Sequence, residues 1–326
     1  MRNFTFKGLF LTAVFMLLGC LSIQAANADL ITKQITINLD KAGTLPNKIA
    51  SSEMYKITNL KIIGEINGTD WNMIREMAGR DNRGYGTEGK LSVLDLSEAK
   101  IVKGGDSYYP GDNCYTSNDE IGEKAFYDCS RLTSLTLPVG ITSIGYDAFA
   151  YCSGLTSLTL PAGITSIGEY AFSGCSGLTS LTLPAGITSI DKYAFSGCSR
   201  LTSLTLPAGI TSIGEFAFSY CSGLTSIYVY AEKVARIGRY AFEGCASRKC
   251  TLYVPKGTYD NYRLSEFGYF ENIVEFDATG IDKTTTSTDV EEVSRFSADG
   301  QRLAVPVKGL NIVKYSDGSA RKVVVK

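Results

Sequence analysis

The chain has 326 residues and a formal net charge of −1, from 32 Lys and Arg against 33 Asp and Glu, and it contains no histidine. The lack of histidine excludes mechanisms that use a Ser–His or Cys–His pair or histidine metal ligands. The balanced charge provides no basic surface for nucleic acid. The composition therefore favours a non-enzymatic binding or structural protein, and we expect no catalytic residues, cofactor, metal site or nucleic-acid partner.

Residues 1–28 are typical of an export signal. A short basic start precedes the apolar run 8–23, and Ala26-Asn27-Ala28 is a small-x-small cleavage site. The run is shorter than the ~20 residues of a membrane span, so we expect no transmembrane segment in the mature chain. A lipoprotein-like box inside the run makes Cys20 the alternative processing site, with a lipid anchor. An exported protein is expected in either case, secreted or attached to the cell surface or outer membrane.

Residues 29–115 lack a period and are predicted to be an N-terminal capping region with a first irregular repeat strand. Two stretches alternate apolar and polar residues and predict strands. Thr69 or Asp70 is predicted to cap a short helix that ends at Met77. A polar insertion, residues 104–118, then separates the cap from the first full repeat. Such a region covers the sheet edge that a repeat array would otherwise expose.

Residues 116–254 repeat with a period of 23. The marker is a cysteine that recurs every 23 residues and once after 24, at Cys129, Cys152, Cys175, Cys198, Cys221 and Cys245. The unit reads GEYAFSGCSGLTSLTLPAGITSI at Gly168–Ile190. A fixed period of this length is typical of a solenoid. The segment Leu91–Leu96 already resembles the strand of the unit, so the solenoid is expected to start there.

Each unit contains two strand signals. In Leu178–Leu183 the leucines alternate with Ser180 and Thr182, and Ile187–Ile190 is a second short extended piece. One unit buries too little apolar surface to fold alone, so the units must stack. We predict a predominantly β repeat solenoid with short helical turns and a cap at each end. Its internal column is expected to contain Phe126, Phe149, Phe172, Phe195, Phe218 and Phe242.

The repeated cysteines are predicted to be buried free thiols, because cysteine packs as a small hydrophobic residue. Disulfides are the alternative in an exported protein. The best candidates for them are Cys114, Cys245 and Cys250. Metal binding is not expected, since the chain has neither Cys-x-x-Cys spacing nor histidine.

The unit C-x-x-L-x-x-L-x-L-P-x-x-I-x-x-I-x-x-x-A-F resembles the leucine-rich repeat of BspA-like bacterial surface proteins. The resemblance covers residues 122–254 closely. Asn59–Asp70 with Lys90–Ser97 resembles that family's N-terminal segment, and Leu252–Tyr262 resembles its closing cap. The resemblance implies a leucine-rich repeat protein, secreted or surface-attached, that binds host matrix proteins or other cells. It implies no conserved active site.

The region after the repeats divides into three parts. Residues 255–276 are predicted to be a C-terminal cap with a short helix and a final strand at Asn272–Phe276. Residues 277–292 are rich in Thr and Ser and predict a linker. Residues 293–326 predict a small β module. It resembles C-terminal modules of secreted proteins in the same bacterial group, some of which serve export, and a plain accessory β domain is the alternative.

Two sets of residues form the candidate binding surface. Polar columns on the main strand contain Ser134, Thr136, Ser157, Thr159, Ser180, Thr182, Ser203 and Thr205. An aromatic stripe on the turn edge contains Tyr146, Tyr170, Tyr193, Phe216 and Tyr240. Good strand formers on a solvated face, and rings packed over the next repeat, are the structural interpretations. The functional hypothesis is adhesin-like binding of a protein or glycan on host or neighbouring cells. The alternative is a spacer or assembly protein of the bacterial envelope.

Overall fold

The computed structural model describes residues 30–109, 111 and 114–278 in full. Beyond residue 278 it describes only the backbone of four strands. The predictions of a signal peptide, of a lipid anchor at Cys20 and of most of the linker lie outside the described residues. In the described ranges, no helix is long and apolar enough to cross a membrane.

Ten parallel strands lie side by side along one side of the molecule and form the long sheet. In spatial order they are β1 (Ile35–Leu39), β2 (Asn59–Ile66), β3 (Val93–Ile101), β7 (Ser134–Thr136), β9 (Ser157–Thr159), β11 (Ser180–Thr182), β13 (Ser203–Leu206), β15 (Ser226–Val229), β17 (Thr251–Pro255) and β18 (Asn272–Phe276). The sheet has two five-stranded halves. Where they meet, the Thr179 amide donates to the Thr156 carbonyl at 3.2 Å.

A second row of two-residue parallel strands lies behind the long sheet. Its members are β6 (Glu120–Ile121), β8 (Ser143–Ile144), β10 (Ser166–Ile167), β12 (Ser189–Ile190), β14 (Ser212–Ile213) and β16 (Arg236–Ile237). Residues 23 positions apart pair in both rows, as Leu181 with Leu204 and Ile190 with Ile213. The predicted solenoid and its period are therefore confirmed, and each repeat is one rung.

The interior between the two rows is filled by identical side chains stacked from rung to rung. The six phenylalanines of the predicted column are buried, with neighbouring ring centroids 5.0–5.6 Å apart. Leucines of the main strand and isoleucines of the second strand surround this column and are also buried. Stacking supplies the apolar contact that a single rung lacks.

The cysteines form a second internal column and are free. The Cys175 thiol donates to the Phe149 carbonyl of the preceding rung at 3.1 Å, and Cys152 donates to Phe126 in the same way at 3.0 Å. Burial holds the pKa of both thiols well above its usual value. Cys114, Cys245 and Cys250 are buried and form no disulfide among the described residues, so the alternative of disulfides at these positions is wrong. A small side chain with a weak donor suits this site, because it fills the core and also satisfies a buried carbonyl.

The third side of each rung is a non-helical turn that also carries hydrogen bonds between rungs. In the third unit, the amides of Tyr170, Phe172 and Gly174 donate to the next rung at 3.0, 2.7 and 2.7 Å. Tyr170 and Gly174 have positive φ, 57° and 72°. The same two positions have positive φ in every rung from residue 122 to 249. Since all three sides of the rung bond to their neighbours, the backbone is satisfied without a helix.

The N-terminal cap continues the long sheet and adds two helices, α1 (Leu45–Lys48) and α2 (Gly68–Met77). Asn67 caps α2 and Asp70 completes a capping box at its third position, which corrects the prediction of Thr69 or Asp70 as the cap. The predicted insertion contains an antiparallel pair, β4 (Gly104–Tyr109) and β5 (Cys114–Thr116). The sheet begins at β1, two strands before the predicted start of the solenoid.

The C-terminal cap contains helix α3 (Tyr259–Arg263), a 3-10 helix (Glu266–Tyr269) and β18. Phe267 and Phe270 contact Phe242 and close the aromatic column. Four further strands form a separate antiparallel sheet: β19 (Glu292–Ser297), β20 (Arg302–Leu303), β21 (Gly309–Tyr315) and β22 (Ala320–Val325).

Candidate functional site

The outer surface of the long sheet presents two parallel columns of hydroxyls, which we call the hydroxyl face. It comprises Ser134, Thr136, Ser157, Thr159, Ser180, Thr182, Ser203 and Thr205, all exposed or half-buried. Each serine pairs in register with the serine of the next rung, and each threonine with the next threonine, within both halves of the sheet. The columns therefore repeat at about the 4.8 Å separation of neighbouring strands.

The hydroxyls of this face are not used by the fold. In contrast, a neighbouring threonine column bonds to the backbone of the preceding rung, as Thr179 Oγ1 does to the Thr156 carbonyl at 3.2 Å and Thr202 Oγ1 to Thr179 at 3.0 Å. Within residues 30–278, no hydroxyl of the hydroxyl face makes a hydrogen bond to a protein group. These hydroxyls can therefore donate to or accept from a ligand.

The aromatic edge comprises Tyr146, Tyr170, Tyr193, Phe216 and Tyr240 on the turn side. Tyr170 and Tyr193 stack with centroids 4.6 Å apart, and Tyr193 stacks on Phe216 at 4.9 Å. Tyr146 and Tyr240, at the two ends, are 41% and 53% exposed, while the three central rings are half-buried. The rings pack on one another and keep an outer surface in solvent.

The backbone beneath the aromatic edge is unusual. Tyr170, Tyr193, Phe216 and Tyr240 all have φ between 55° and 59°. A bulky residue in this region is an outlier that costs about 1–2 kcal/mol. Ring stacking returns about 0.5–1.5 kcal/mol per pair. Tyr146 lies one position earlier in its rung, without positive φ, and contacts Tyr170 edge-on at 5.8 Å.

The structure adds a third group to the same face of the sheet, which we call the tyrosine patch: Tyr228, Tyr230, Tyr253 and Phe276. Tyr228 pairs with Thr205 and then with Tyr253, so the threonine column continues into aromatic residues. The Tyr228 and Tyr253 rings stack at 4.5 Å, and Phe276 meets Tyr228 and Tyr230 edge-on. Partial burial raises the pKa of Tyr228.

Sequence reasoning missed the tyrosine patch because Tyr253 and Phe276 lie on strands beyond the regular period, and only the sheet brings them to Tyr228. The available signal was the Tyr-x-Tyr of residues 228–230, where the fifth main strand replaces threonine by tyrosine.

The opposite end of this face is ionic. Lys61 on β2 forms ion pairs with Asp95, at 3.6 Å, and with Glu98, both on β3. These strands precede the first regular rung, so the charge ends where the hydroxyl columns begin. The face therefore changes along the solenoid from charged to hydroxyl to aromatic.

A cavity lies in the N-terminal cap, apart from these surfaces. In the part of the chain that the structure describes, no group of three or more Cys, Asp and Glu residues is placed to hold a metal ion. The cavity, of about 670 Å³, lies between α1 and α2 and is lined by Met54, Met73 and Glu76, among others. Burial raises the pKa of Glu76, but the lining contains neither a cysteine nor a histidine to act with it.

The fold and these surfaces define a leucine-rich repeat solenoid with one extended, weakly charged face. Residues 119–249 match the model of the BspA type leucine rich repeat region, in six copies. This part of the chain is therefore a BspA-type leucine-rich repeat region, as the sequence resemblance implies.

Three solved structures illustrate the similarity. A leucine-rich repeat protein of T. pallidum is 32% identical over 34% of this chain and 52% of its own, with a TM-score of 0.32. A leucine-rich cell surface protein of Faecalibacterium prausnitzii is 28% identical over 47% of this chain and 45% of its own, with a TM-score of 0.35. A leucine-rich repeat protein of Bacteroides ovatus is 23% identical over 50% of this chain and 59% of its own, with a TM-score of 0.27.

The chain thus spans about half the length of the first two of these structures. Superpositions with such low TM-scores transfer no function to it. No curated protein matches the chain in sequence.

Proposed function

We propose that this chain is an exported, adhesin-like protein that binds a protein or glycan partner on host or neighbouring cells, without catalysis. The observation that supports this most is the continuity of one face: unused hydroxyls in register lead directly into the tyrosine patch. Leucine-rich repeat solenoids use such extended surfaces for binding. A neutral, hydroxyl-rich and aromatic surface suits an uncharged or weakly charged ligand.

The aromatic edge gives independent support. Four successive rungs keep a bulky aromatic residue at positive φ, a conformation that glycine adopts at no cost. Positive φ at this position is common to every rung, so the fold accounts for the backbone but not for the choice of an aromatic side chain. Tyrosine also supplies large, rigid contact area at low entropic cost. We therefore propose the aromatic edge as a second contact surface.

The test is a binding screen with the full chain against immobilised matrix proteins, glycan arrays and whole cells. The Thr159→Lys/Thr182→Lys variant places two charges on the hydroxyl face, and Tyr253→Ala opens the tyrosine patch. Each should weaken binding about tenfold or more if these residues lie at the centre of the contact.

The matched control is Ser153→Lys/Ser222→Lys, which adds the same charge at exposed positions that belong to neither the hydroxyl face nor the aromatic edge. It should change affinity by less than about twofold. Absence of wild-type binding across the whole panel contradicts the proposal. Equal losses in the control and face variants place the contact elsewhere.

The alternative function is a spacer or assembly protein of the bacterial envelope, in which the solenoid only sets length. The two end strands of the long sheet, each of which pairs on one side only among the described strands, favour it. A spacer tolerates replacement of the hydroxyl face, so the same lysine variants separate the two functions.

A further inference from the structure

The long sheet has an open edge at each end. β1 pairs with β2 only, and β18 pairs with β17 only, among the strands that the structure describes. An unpaired edge presents backbone N–H and C=O groups that template another strand. The two edges belong to the same parallel sheet, so β18 of one copy and β1 of another can pair in the direction that every other pair in the sheet uses.

The two edges also share one register. Ile35 belongs to the inward column that runs through Leu60, Leu94 and Leu135. At the other end, Leu252 pairs with Ile273, so Ile273 occupies the same column. Pairing Ile273 with Ile35 of a second copy continues the column without a shift. A one-residue slip would turn inward side chains outward, so this register is the favoured one.

In this register, opposite charges meet. Glu271 immediately precedes β18 and Lys33 lies two residues before β1, so their opposite charges come to the same end of the contact. Both side chains are exposed. Glu271 contacts Arg248 at 2.9 Å at the rim, and Lys33 makes no ion pair within the described ranges. Val274, 45% exposed, would be covered by Thr36 of the second copy.

The ends differ in charge as a whole. Residues 30–56 contain four lysines against one Asp and one Glu, a net charge of +2. Residues 256–278 contain one lysine and one arginine against five carboxylates, a net charge of −3. The N-terminal end therefore attracts the C-terminal end of another copy and repels its own kind.

We propose that copies of this chain associate head to tail, with β18 of one copy adding to β1 of the next. The contact is heterologous and does not close, so it produces linear assemblies whose length grows with concentration. The contact is small and weak, and display of many copies on one surface favours it through local concentration. It is separate from the hydroxyl face, so it stands or falls independently of the proposed binding function.

The test is sedimentation of the full chain over a concentration series, with reductant, at low and high salt. The wild-type average mass should rise with concentration, and salt should reduce the rise. Glu271→Lys and Lys33→Glu should each lower the association constant roughly three- to tenfold, because a like-charge pair replaces an opposite-charge pair. The double variant Lys33→Glu/Glu271→Lys should return to within about twofold of wild type.

The matched control is Glu243→Lys, which makes the same charge change at an exposed turn position. It should associate like wild type, and melting curves should show that all variants fold. A wild type that remains monomeric at millimolar concentration overturns the proposal. Single reversals without effect, or a double variant that stays weak, overturn it as well.

Discussion

The regular rungs and the N-terminal cap solve the same backbone problem in different ways. In the rungs, the Phe126 amide donates to the Ala148 carbonyl of the next rung at 2.7 Å, and this bond is copied along the solenoid. Ala125 has no preceding rung to supply that donor. The indole of Trp71 and the guanidinium of Arg75 bond to its carbonyl instead, at 2.9 and 3.0 Å. Inside the solenoid, each rung forms its backbone hydrogen bonds with the equivalent groups of the next rung. The first rung lacks such a neighbour on one side, so side chains of the cap must donate these bonds.

A side-chain donor also replaces the backbone donor at a second carbonyl of the first rung. The Glu123 carbonyl accepts from the buried Tyr108 hydroxyl at 2.8 Å, where later rungs use a backbone amide. Burial raises the pKa of Tyr108 strongly, which keeps its proton available for the bond.

The rungs also contain less charge than the rest of the chain: residues 122–213 contain nine Asp, Glu, Lys and Arg in 92 positions, about half the frequency of the whole chain. The rungs depend on apolar columns and the cap on polar side chains.

Alkaline pH should destabilise the rungs more than the N-terminal cap, and this is the largest effect that we expect. Burial raises the pKa of Cys129 from 9.0 to about 11 and holds that of Cys152 and Cys175 well above 9.0. Each buried thiol contributes fully below pH 9, where the unfolded thiol is also protonated. The contribution is lost as pH rises towards the folded-state pKa, by about 1.4 kcal/mol per pH unit. The losses from several thiols add, so the midpoint of unfolding in guanidinium chloride should fall steeply between pH 9 and 11.

The control for this pH effect is Cys175→Ala, which removes one thiol and should give a shallower pH dependence. Residues 30–109 of the N-terminal cap contain no cysteine, and the raised pKa of Tyr108 affects the cap only above its usual value of 10.0. Between pH 9 and 10, amide exchange in these residues should therefore accelerate only when the rungs open. The prediction is contradicted if the unfolding midpoint of Cys175→Ala falls with pH as steeply as that of wild type.

Phe172→Ala should strongly destabilise the rungs, because it opens a cavity in the internal column. The ring is fully buried and stacks on Phe149 and Phe195 at 5.0 and 5.1 Å. The cavity and the lost transfer energy should reduce the free energy of unfolding by about 3–5 kcal/mol. Chemical denaturation measures it. The comparison is Tyr151→Ala, whose ring is 53% exposed, and equal losses in the two variants are incompatible with the internal column.

Arg75→Met tests the side-chain donors of the cap. The guanidinium is fully buried and donates to the carbonyls of Lys124 and Ala125. Methionine fills similar space but removes the guanidinium donor to Lys124 and one of the two side-chain donors to Ala125, which should cost about 1–3 kcal/mol. Hydrogen exchange should accelerate first near the start of the solenoid. Arg83→Met, at an exposed position, should be neutral, and a cap that tolerates both changes equally does not need the donor.

The smallest expected effect distinguishes two threonines of one rung, Thr179 just before β11 and Thr182 on it. Thr179 Oγ1 donates to the backbone of the preceding rung, whereas the Thr182 hydroxyl belongs to the unused hydroxyl face. Thr179→Val should destabilise by about 0.5–1 kcal/mol, and Thr182→Val should be close to neutral. Thermal melts resolve the two. If Thr182→Val is the more costly change, its hydroxyl serves the fold and not a ligand.

The sequence alone predicted the rung, the stacking of rungs and the side chains of their core. A 23-residue period and alternating residues fixed the solenoid, the strand at Asn272–Phe276 and the burial of the phenylalanine column. These inferences succeed because a period makes each residue a neighbour of its own copies. Strand alternation then determines which side chains point inward.

Only the tertiary structure decided what does not repeat. The bond from Trp71 to Ala125, the tyrosine patch and the shared register of β1 and β18 join segments whose separation follows no period. The thiol bond to the phenylalanine carbonyl and the positive φ at Tyr170 repeat, yet composition does not reveal them because they depend on how the turn is oriented. A periodic sequence determines the contacts within a rung and between neighbouring rungs. The caps and the surface patches depend on contacts between segments far apart in the sequence, and no period predicts those contacts.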